Sequence, residues 1–197
     1  MARLPVVLGT HDLPLAELCA ARIDGELFAI DEGWAPVDEP DLPSFRAAVV
    51  ALRMPRRLII ERLSAAWVHG ALDAPPRTAQ FCVPLHERIA VAPALGTIVR
   101  EVVVSDAELV ELAGVRCTSV PRTAFDLLRD QTLDDATAER VVARLLGQRP
   151  ALDEEVSVLF AAARRMPRIT LARARFARAS DVAVSSGPIG GQPSLTR

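Results

Sequence analysis

Lysine is absent from this 197-residue sequence, and so are asparagine and tyrosine, so that all 23 basic residues are arginines. Without lysine the chain cannot carry a G-x-x-x-x-G-K-[ST] phosphate-binding loop, a Schiff-base lysine or a lysine-dependent nuclease centre. The G-x-S-x-G and G-x-G-x-x-G signatures of hydrolases and dinucleotide-binding enzymes do not occur either. No convergent set of nucleophile, base and orienting group is visible, so the sequence predicts a protein that is not an enzyme and needs no cofactor.

Cysteine and histidine are scarce, with three residues of each. Cys19, Cys82 and Cys117 are far apart and odd in number, which argues against a disulfide framework and favours a reducing cytosol. The histidines lack the spacing of metal ligands. No apolar run is long enough for a signal peptide or a membrane-spanning helix. We therefore predict a cytoplasmic protein with no metal and no membrane contact.

Charge is unevenly distributed, although the net charge is only −2. Residues 1–41 contain two arginines and nine acids, a local charge of −7, whereas residues 161–178 contain six arginines and no acid, a local charge of +6. The acids between positions 31 and 41 do not follow the spacing of a calcium-binding loop, which favours a solvated acidic surface over a cation site. The basic segment could contact phosphates, an acidic partner, the acidic N-terminal segment or only solvent.

The order of predicted elements indicates an α+β protein. A helix at DLPLAELCAARI, ending at Asp24-Gly25, is followed by a small hairpin in which ELFAI and WAPV flank a DEG turn. A helix followed by a hairpin is the back half of a winged helix, so we predict a winged-helix-like module over residues 1–41. A helix from Ser44 to about Met54 and a second apolar helix, LIIERLSAAWVHGAL, come next.

The remainder predicts a small sheet followed by helices. Strands are expected at residues 79–84, 89–92 and 97–105, a short helix at DAELVEL and a last strand at GVRCT. Thr118 or Ser119 then caps a helix with Pro121 in its first turn, and three more helices follow, the last of them the basic ITLARARFARA. This pattern predicts an α/β domain over residues 42–180 that ends in a helical segment, and a flexible tail over residues 181–197.

Two groups of charged residues are candidate functional sites. Arg122 and Asp126 lie four residues apart on one helix face, and such a pair is more often a structural ion pair than a catalytic one. Because phosphate neutralisation supplies most of the affinity for DNA, arginines are the candidates for DNA contact. They are Arg22, Arg164, Arg165, Arg168, Arg173 and Arg175.

Four segments in this order, ELCAARIDGELFAIDEGWAPVD, RLIIERLSAAWVHGAL, VREVVVS and GVRCTSVPRTAFDLL, resemble the AbiEi-like antitoxins of bacterial type IV toxin–antitoxin systems, especially short actinobacterial members. The resemblance covers about residues 12–146. Its most specific motifs are an Ala-Ala-Trp/Leu-x-x-Gly helix and a Thr-Ser-x-x-Arg-Thr-x-x-Asp element. In this sequence they consist of Ala65, Ala66, Trp67, Gly70, Thr118, Ser119, Arg122, Thr123 and Asp126.

The resemblance implies a winged helix that binds promoter DNA and an α/β domain that acts against a nucleotidyltransferase-like toxin. The chain lacks the Gly-Ser and Asp-x-Asp spacing of such a toxin. It also departs from the family in the hairpin, where an acidic Asp31-Glu32 turn replaces a basic, aromatic pattern. Two hypotheses follow: an antitoxin-like transcriptional regulator that binds promoter DNA and counters a toxin, and a degenerate, non-enzymatic protein-interaction module that no longer binds DNA.

Overall fold

The computed structural model of the chain describes residues 5–53, 58–87, 95–163 and 166–186. The chain divides into two compact units, Met1–Ser119 and Val120–Arg197, which we call the first and the second unit. Strands occur in the first unit, and the described part of the second is helical. The predicted α+β class is therefore confirmed.

The first unit combines three helices with two sheets in its described part. Its helices are α1 (Leu15–Ile23), α2 (Pro43–Ala51) and α3 (Arg62–Val68), with a short 3-10 helix at Asp106–Glu108. Its strands are β1 (Leu27–Ile30), β2 (Gly33–Pro36), β3 (Ile59–Ile60), β4 (Ala79–Pro84), β5 (Thr97–Val102), β6 (Leu109–Leu112) and β7 (Val115–Thr118).

The larger sheet is mixed, with strand order β5-β4-β3-β7-β6. Strand β4 runs antiparallel to β3 and parallel to β5, while β7 runs parallel to β3 and antiparallel to β6. The central strand β3 is short and apolar on both faces, since Ile59 and Ile60 are fully buried. Buried strands of this kind read as continuous apolar runs in a sequence.

The smaller sheet is the predicted hairpin of β1 and β2, which follows α1 as expected. Its register pairs Ala29 with Trp34 and Ile30 with Gly33. A third segment joins it, because Leu8 and Trp34 exchange two main-chain hydrogen bonds of 2.7 and 2.9 Å between nitrogen and oxygen. The structure thus has a helix followed by a hairpin to which a third segment is joined; the winged-helix-like module stays a prediction.

The hairpin and the larger sheet share one hydrophobic core. Val7 and Ala35 from the hairpin region belong to the same buried cluster as Phe45 of α2, Trp67 of α3 and Phe81 of β4. The predicted boundary between residues 41 and 42 thus runs through a single core, and the compact units divide instead between residues 119 and 120. Burial of apolar surface links the hairpin to α2 more tightly than the Pro-rich linker sequence suggested.

The second unit contains four helices in its described part, α4 (Val120–Arg129), α5 (Asp135–Gln148), α6 (Leu152–Ala162) and α7 (Ile169–Ser186). As predicted, α4 has Pro121 in its first turn, where its missing N–H costs no hydrogen bond. Asp134 caps α5, since its carboxylate accepts the main-chain N–H of Thr137 at 2.8 Å. The same hydrogen bond holds the pKa of Asp134 below its usual range.

Several predicted elements differ from the structure. The apolar run LIIERLSAAWV is not one helix, because Ile59–Ile60 form the central strand and α3 begins only at Arg62. The second half of DAELVEL is strand β6 rather than helix. Residues 181–186 belong to α7 and not to a flexible tail. The predicted strand at residues 89–92 lies outside the described residues.

Candidate functional site

The hairpin turn carries two acids, Asp31 and Glu32, and Asp31 is tied to the body of the first unit by an ion pair. Asp31 adopts a left-handed backbone with φ of 53°, and its carboxylate forms an ion pair with Arg53, just after α2. The Arg53 guanidinium also lies 3.5 Å from the carboxylate of Glu32 and donates a 3.0 Å hydrogen bond to the carbonyl of Arg77. The Asp31 side chain is only 8% exposed, whereas the Glu32 side chain is 56% exposed.

A second arginine holds the segment that follows the hairpin. Arg46 donates two 2.6 Å hydrogen bonds to the carboxylate of Asp41, which lower the pKa of that carboxyl. It also donates to the carbonyl of Trp67 at 2.8 Å, and its guanidinium lies 5.5 Å from the centre of the Trp67 ring. Arg46 and Arg53 therefore form ion pairs with acids of the N-terminal segment.

The first family motif lies in the core of the first unit. Ala65, Ala66 and Trp67 in α3 are 0 to 2% exposed, and the small alanines let the helix approach the sheet closely. Gly70 ends the helix in a left-handed conformation with φ of 84°, which a glycine adopts without strain. Ala65, Ala66 and Trp67 are thus buried, whereas Gly70 is half-buried at the end of the helix.

The second family motif spans the end of the first unit and the start of the second. Thr118 is 1% exposed, and the His69 Nε2 donates a 2.7 Å hydrogen bond to its carbonyl, which fixes the end of β7 against the end of α3. The main-chain N–H of Ser119 donates to the carbonyl of Glu108 at 2.8 Å. Nearby Cys117 is buried, and burial raises the pKa of its thiol far above the usual range.

In the second unit, the predicted pairing of Arg122 and Asp126 is confirmed. The Arg122 Nε donates to the Asp126 Oδ2 at 2.8 Å, and the two residues are 8% and 6% exposed. Thr123, the next motif residue, is fully buried. An ion pair this inaccessible cannot meet a substrate, so its position favours the structural interpretation over the catalytic one.

The basic helix α7 was expected to present a row of arginines. Arg178 instead pairs with Asp135 and Glu139 of α5, at 3.2 and 2.7 Å. Arg173 is exposed, donates to the carbonyl of Phe160 at 3.2 Å and stacks over the ring of the same residue. Arg168 is exposed just before the helix, and Arg164 and Arg165 lie outside the described residues.

Arg175 lies in the interior of the second unit, although it was a candidate for DNA contact. It is 3% exposed, and its guanidinium donates to three main-chain carbonyls and to the carboxylate of Asp135. The carbonyls belong to Leu128, Asp130 and Leu133, at 3.3, 2.6 and 2.8 Å. In this position the guanidinium joins α7 to the loop between α4 and α5 and is not accessible to a phosphate.

Arg22, the remaining DNA candidate, lies in the last turn of α1 and is exposed. Within the described part of the chain, neither Arg22 nor Arg168 forms an ion pair. Of the six candidates, Arg175 is buried, Arg22, Arg168 and Arg173 are exposed, and Arg164 and Arg165 lie outside the described residues. Within α7, Arg175 is buried and Arg178 is paired with carboxylates, so these two arginines do not offer their charge freely to a ligand.

Sequence reasoning missed a buried ion pair in the first unit. Glu61, just before α3, is fully buried, and its carboxylate accepts two hydrogen bonds from Arg100 of β5 at 2.6 and 2.5 Å. Gln80, on the strand between them, accepts the main-chain N–H of Leu63 through its side chain at 2.8 Å. The partners are 39 positions apart, so no local pattern in the sequence could have paired them.

The second unit also has an open groove of about 380 Å³, lined mainly by apolar side chains. Leu146, Pro150 and Val184 contribute to its walls. Its charged group, Asp153, already accepts a 3.0 Å hydrogen bond from Ser180.

Metal and membrane contacts have no support in the described residues. They include no group of three histidine, cysteine or acidic side chains placed to hold a metal ion. Likewise, no described helix has both the length and the apolar character that a bilayer crossing requires.

Comparison with known proteins gives little to add to this geometry. No protein-family profile matches the chain, and no curated protein sequence matches it. Among solved structures, the crystal structure of RV2827C protein from Mycobacterium tuberculosis is similar at 16% sequence identity, covering 88% of this chain and 76% of that chain, with a TM-score of 0.36. A TM-score of this size does not establish a shared fold.

Proposed function

We propose that this protein is an antitoxin-like regulator without catalytic activity, and that it works chiefly by binding a protein partner. The observation that carries the proposal is that charged side chains pair with groups of their own unit. The acidic hairpin turn is paired with Arg53, and two arginines of α7, Arg175 and Arg178, are turned toward carbonyls and carboxylates of the same unit. Because phosphate neutralisation dominates affinity for DNA, surfaces neutralised in this way favour a protein ligand.

The class of partner rests on the resemblance to AbiEi-like antitoxins. That resemblance implies a nucleotidyltransferase-like toxin as the bound protein. Seven of the nine motif residues are buried, all except half-buried Gly70 and Ser119, and buried positions suit a role in maintaining the fold that presents a binding surface. They do not suit direct contact with a ligand.

Binding of promoter DNA is the second candidate function. It is favoured by two exposed arginines, Arg22 and Arg168, that form no ion pair among the described residues, and by exposed Arg173. Each phosphate contact that an arginine makes adds about 0.9 to the slope of log affinity against log salt.

The experiment that separates the two functions has two arms. In the first, the wild-type protein is titrated with its upstream DNA and with a scrambled duplex at low and moderate salt. In the second, the protein is co-expressed with the product of the neighbouring gene and isolated at moderate salt. Protein binding predicts a stable complex in the second arm, with weak binding in the first that does not distinguish the duplexes. Tight, salt-dependent binding to the upstream duplex alone would instead support the promoter-binding function.

Matched variants make the DNA arm decisive. Replacing Arg22 and Arg168 with alanine removes two exposed guanidinium groups, whereas Arg149→Ala removes an exposed arginine that is already paired with Glu155 at 2.6 Å. If DNA binding is the function, the double variant loses affinity and salt slope while Arg149→Ala does not. If all three proteins bind DNA equally weakly and the complex with the partner persists, the protein-binding function stands.

A further inference from the structure

Helix α1 has an apolar side that is exposed to solvent. Five of its nine residues are both apolar and exposed, whereas Leu18 is fully buried and attaches the helix to the rest of the first unit. Because successive residues of an α-helix are rotated by about 100°, the five exposed residues fall within an arc of about 140°. We call this arc the α1 face, and it consists of Leu15, Ala16, Cys19, Ala20 and Ile23.

The α1 face differs from the single exposed apolar residues that are common on protein surfaces. In a surface helix the apolar stripe normally packs against the core. Here the two largest side chains of the face, Leu15 and Ile23, are 55% and 85% exposed. Contiguous exposed apolar surface of this kind marks a site of interaction.

The helix that carries this face is held in place by its own unit. A helix of nine residues is only marginally stable in isolation, so its anchors are important. One anchor is the buried side chain of Leu18. The other is the turn that ends the helix, where Gly25 has a φ of 78° and the main-chain N–H of Glu26 donates to the carbonyl of Ala21 at 2.9 Å. A helix that is already ordered loses little conformational entropy when it binds.

Charged side chains border the α1 face. Glu17 and Asp24 lie along one border, both are exposed, and neither forms an ion pair with a described residue. Arg22 lies on the opposite border. Residues 1–41 together have a charge of −7. Such a surface repels DNA phosphates and anionic lipid head groups, and it complements a protein that is basic beside Glu17 and Asp24.

The size of the face favours a groove as its binding site. A helix of nine residues is about 14 Å long. Two such helices packed side by side would bury far less than the about 800 Å² per partner that a stable interface needs. A groove contacts both borders of the arc as well as its centre, so it buries more of the same helix.

We propose that the α1 face docks into an apolar groove of the protein partner, and that the groove has basic residues along the border that meets Glu17 and Asp24. This inference rests on the protein-binding function proposed above and names the surface that performs it. Helices that bind in grooves use apolar anchors about one turn apart. Leu15, Cys19 and Ile23 have that spacing.

Calorimetric titration of the purified product of the neighbouring gene into this protein tests the docking surface. Ile23→Arg places an unpaired charge in the proposed groove, beside its basic border, and should weaken binding at least about tenfold. Arginine in the last turn of a helix is compatible with the helix dipole, so the variant should fold like the wild type, which circular dichroism verifies. Val158→Arg, at a residue of the second unit that is 62% exposed, is the matched control and should bind like the wild type.

The outcomes separate this inference from the function on which it rests. If the wild type binds and Ile23→Arg binds equally well, the docking surface is wrong and the protein-binding function stands. If the wild type does not bind the neighbouring gene product, both are overturned.

Association rates test the basic border of the groove. Glu17→Arg reverses an exposed charge in the first turn of α1, and Glu154→Arg makes the same change in the first turn of α6. We expect Glu17→Arg to associate with the partner at least about threefold more slowly at low salt, with the difference shrinking as salt is added. Glu154→Arg should associate like the wild type. Equal rates for Glu17→Arg and the wild type at low salt would contradict the basic border.

Two other occupants of the α1 face have outcomes of their own. Light scattering of the wild type alone, at increasing concentration, would reveal a dimer if a second copy covers the face. Sedimentation with phosphatidylcholine vesicles would reveal a lipid surface as the occupant. Dimerisation or vesicle binding that Ile23→Arg abolishes and Val158→Arg preserves would overturn docking into a protein groove.

Discussion

Replacing Arg175 with alanine should destabilise the second unit far more than removing any exposed arginine from the same helix. The variant removes this donor from the carbonyls of Leu128 and Asp130 in a buried position and from the carbonyl of Leu133 in a partly buried one. At about 1 kcal/mol for each carbonyl, and about 0.5 kcal/mol for half-exposed Asp135, the loss is about 3 to 4 kcal/mol. That is a large fraction of the free energy of unfolding of a small domain.

Two spectroscopic signals from one urea titration locate the effect. Both tryptophans, Trp34 and Trp67, belong to the first unit, so their fluorescence follows that unit, whereas far-UV circular dichroism also follows the helices of the second. We expect Arg175→Ala to shift the dichroism transition to lower urea. Arg178→Ala, three residues along α7, removes ion pairs that are about half exposed and should cost at most about 1 kcal/mol. Equal losses from the two variants would refute the argument that the buried carbonyls depend on Arg175.

Two further predictions concern the hairpin of the first unit. A Cβ at Gly33 would lie 2.4 Å from the Cδ1 of Leu52, so Gly33→Ala should lower the free energy of unfolding by about 1 to 3 kcal/mol in chemical denaturation. Gly147→Ala is the control, because the Cβ at this position of α5 would meet open space, and it should raise the free energy of unfolding by about 0.5 to 1 kcal/mol. A Gly33→Ala variant as stable as the wild type would contradict the close approach. Burial raises the pKa of Asp31 above its ordinary value of 3.8, although Arg53 opposes the shift, so the folded state binds that proton more tightly than the unfolded chain does. The free energy of unfolding of the wild type, relative to that of Asp31→Asn, should therefore fall as pH rises through the raised pKa. A difference that grows with pH would contradict this prediction.

Local patterns in the sequence were sufficient wherever the interacting residues are neighbours along the chain. The helix and hairpin of residues 15–36 follow from periodicity and turn composition, and the pairing of Arg122 with Asp126 follows from the geometry of a single helix. The strand Ile59–Ile60 could not be separated from α3, because a short apolar run fits a buried strand and a buried helix equally well.

Whether each arginine is buried or exposed was not predictable from the same local patterns. Arg175 and Arg173 are two positions apart in one basic segment, yet the first is buried and the second is exposed. The difference depends on acceptors more than forty positions earlier in the chain, such as the carbonyl of Asp130. A charge count over a segment therefore overestimates the positive charge that the segment presents to a ligand. Because this chain has no lysine, its arginines fill the structural positions as well, and each arginine in such a position adds to that overestimate.

The strand order of the larger sheet also sets the sequence of events during folding. The described part of the second unit is helical, and helical topologies generally fold faster than sheets that depend on non-local pairing. In the first unit the central strand β3 must find β7, where Ile60 pairs with Cys117 almost at the end of that unit. During synthesis β3 therefore lacks its neighbour β7 until nearly all 119 residues of the first unit have emerged. The apolar Ile59–Ile60 segment is thus a part of the nascent chain that needs protection from aggregation with other chains.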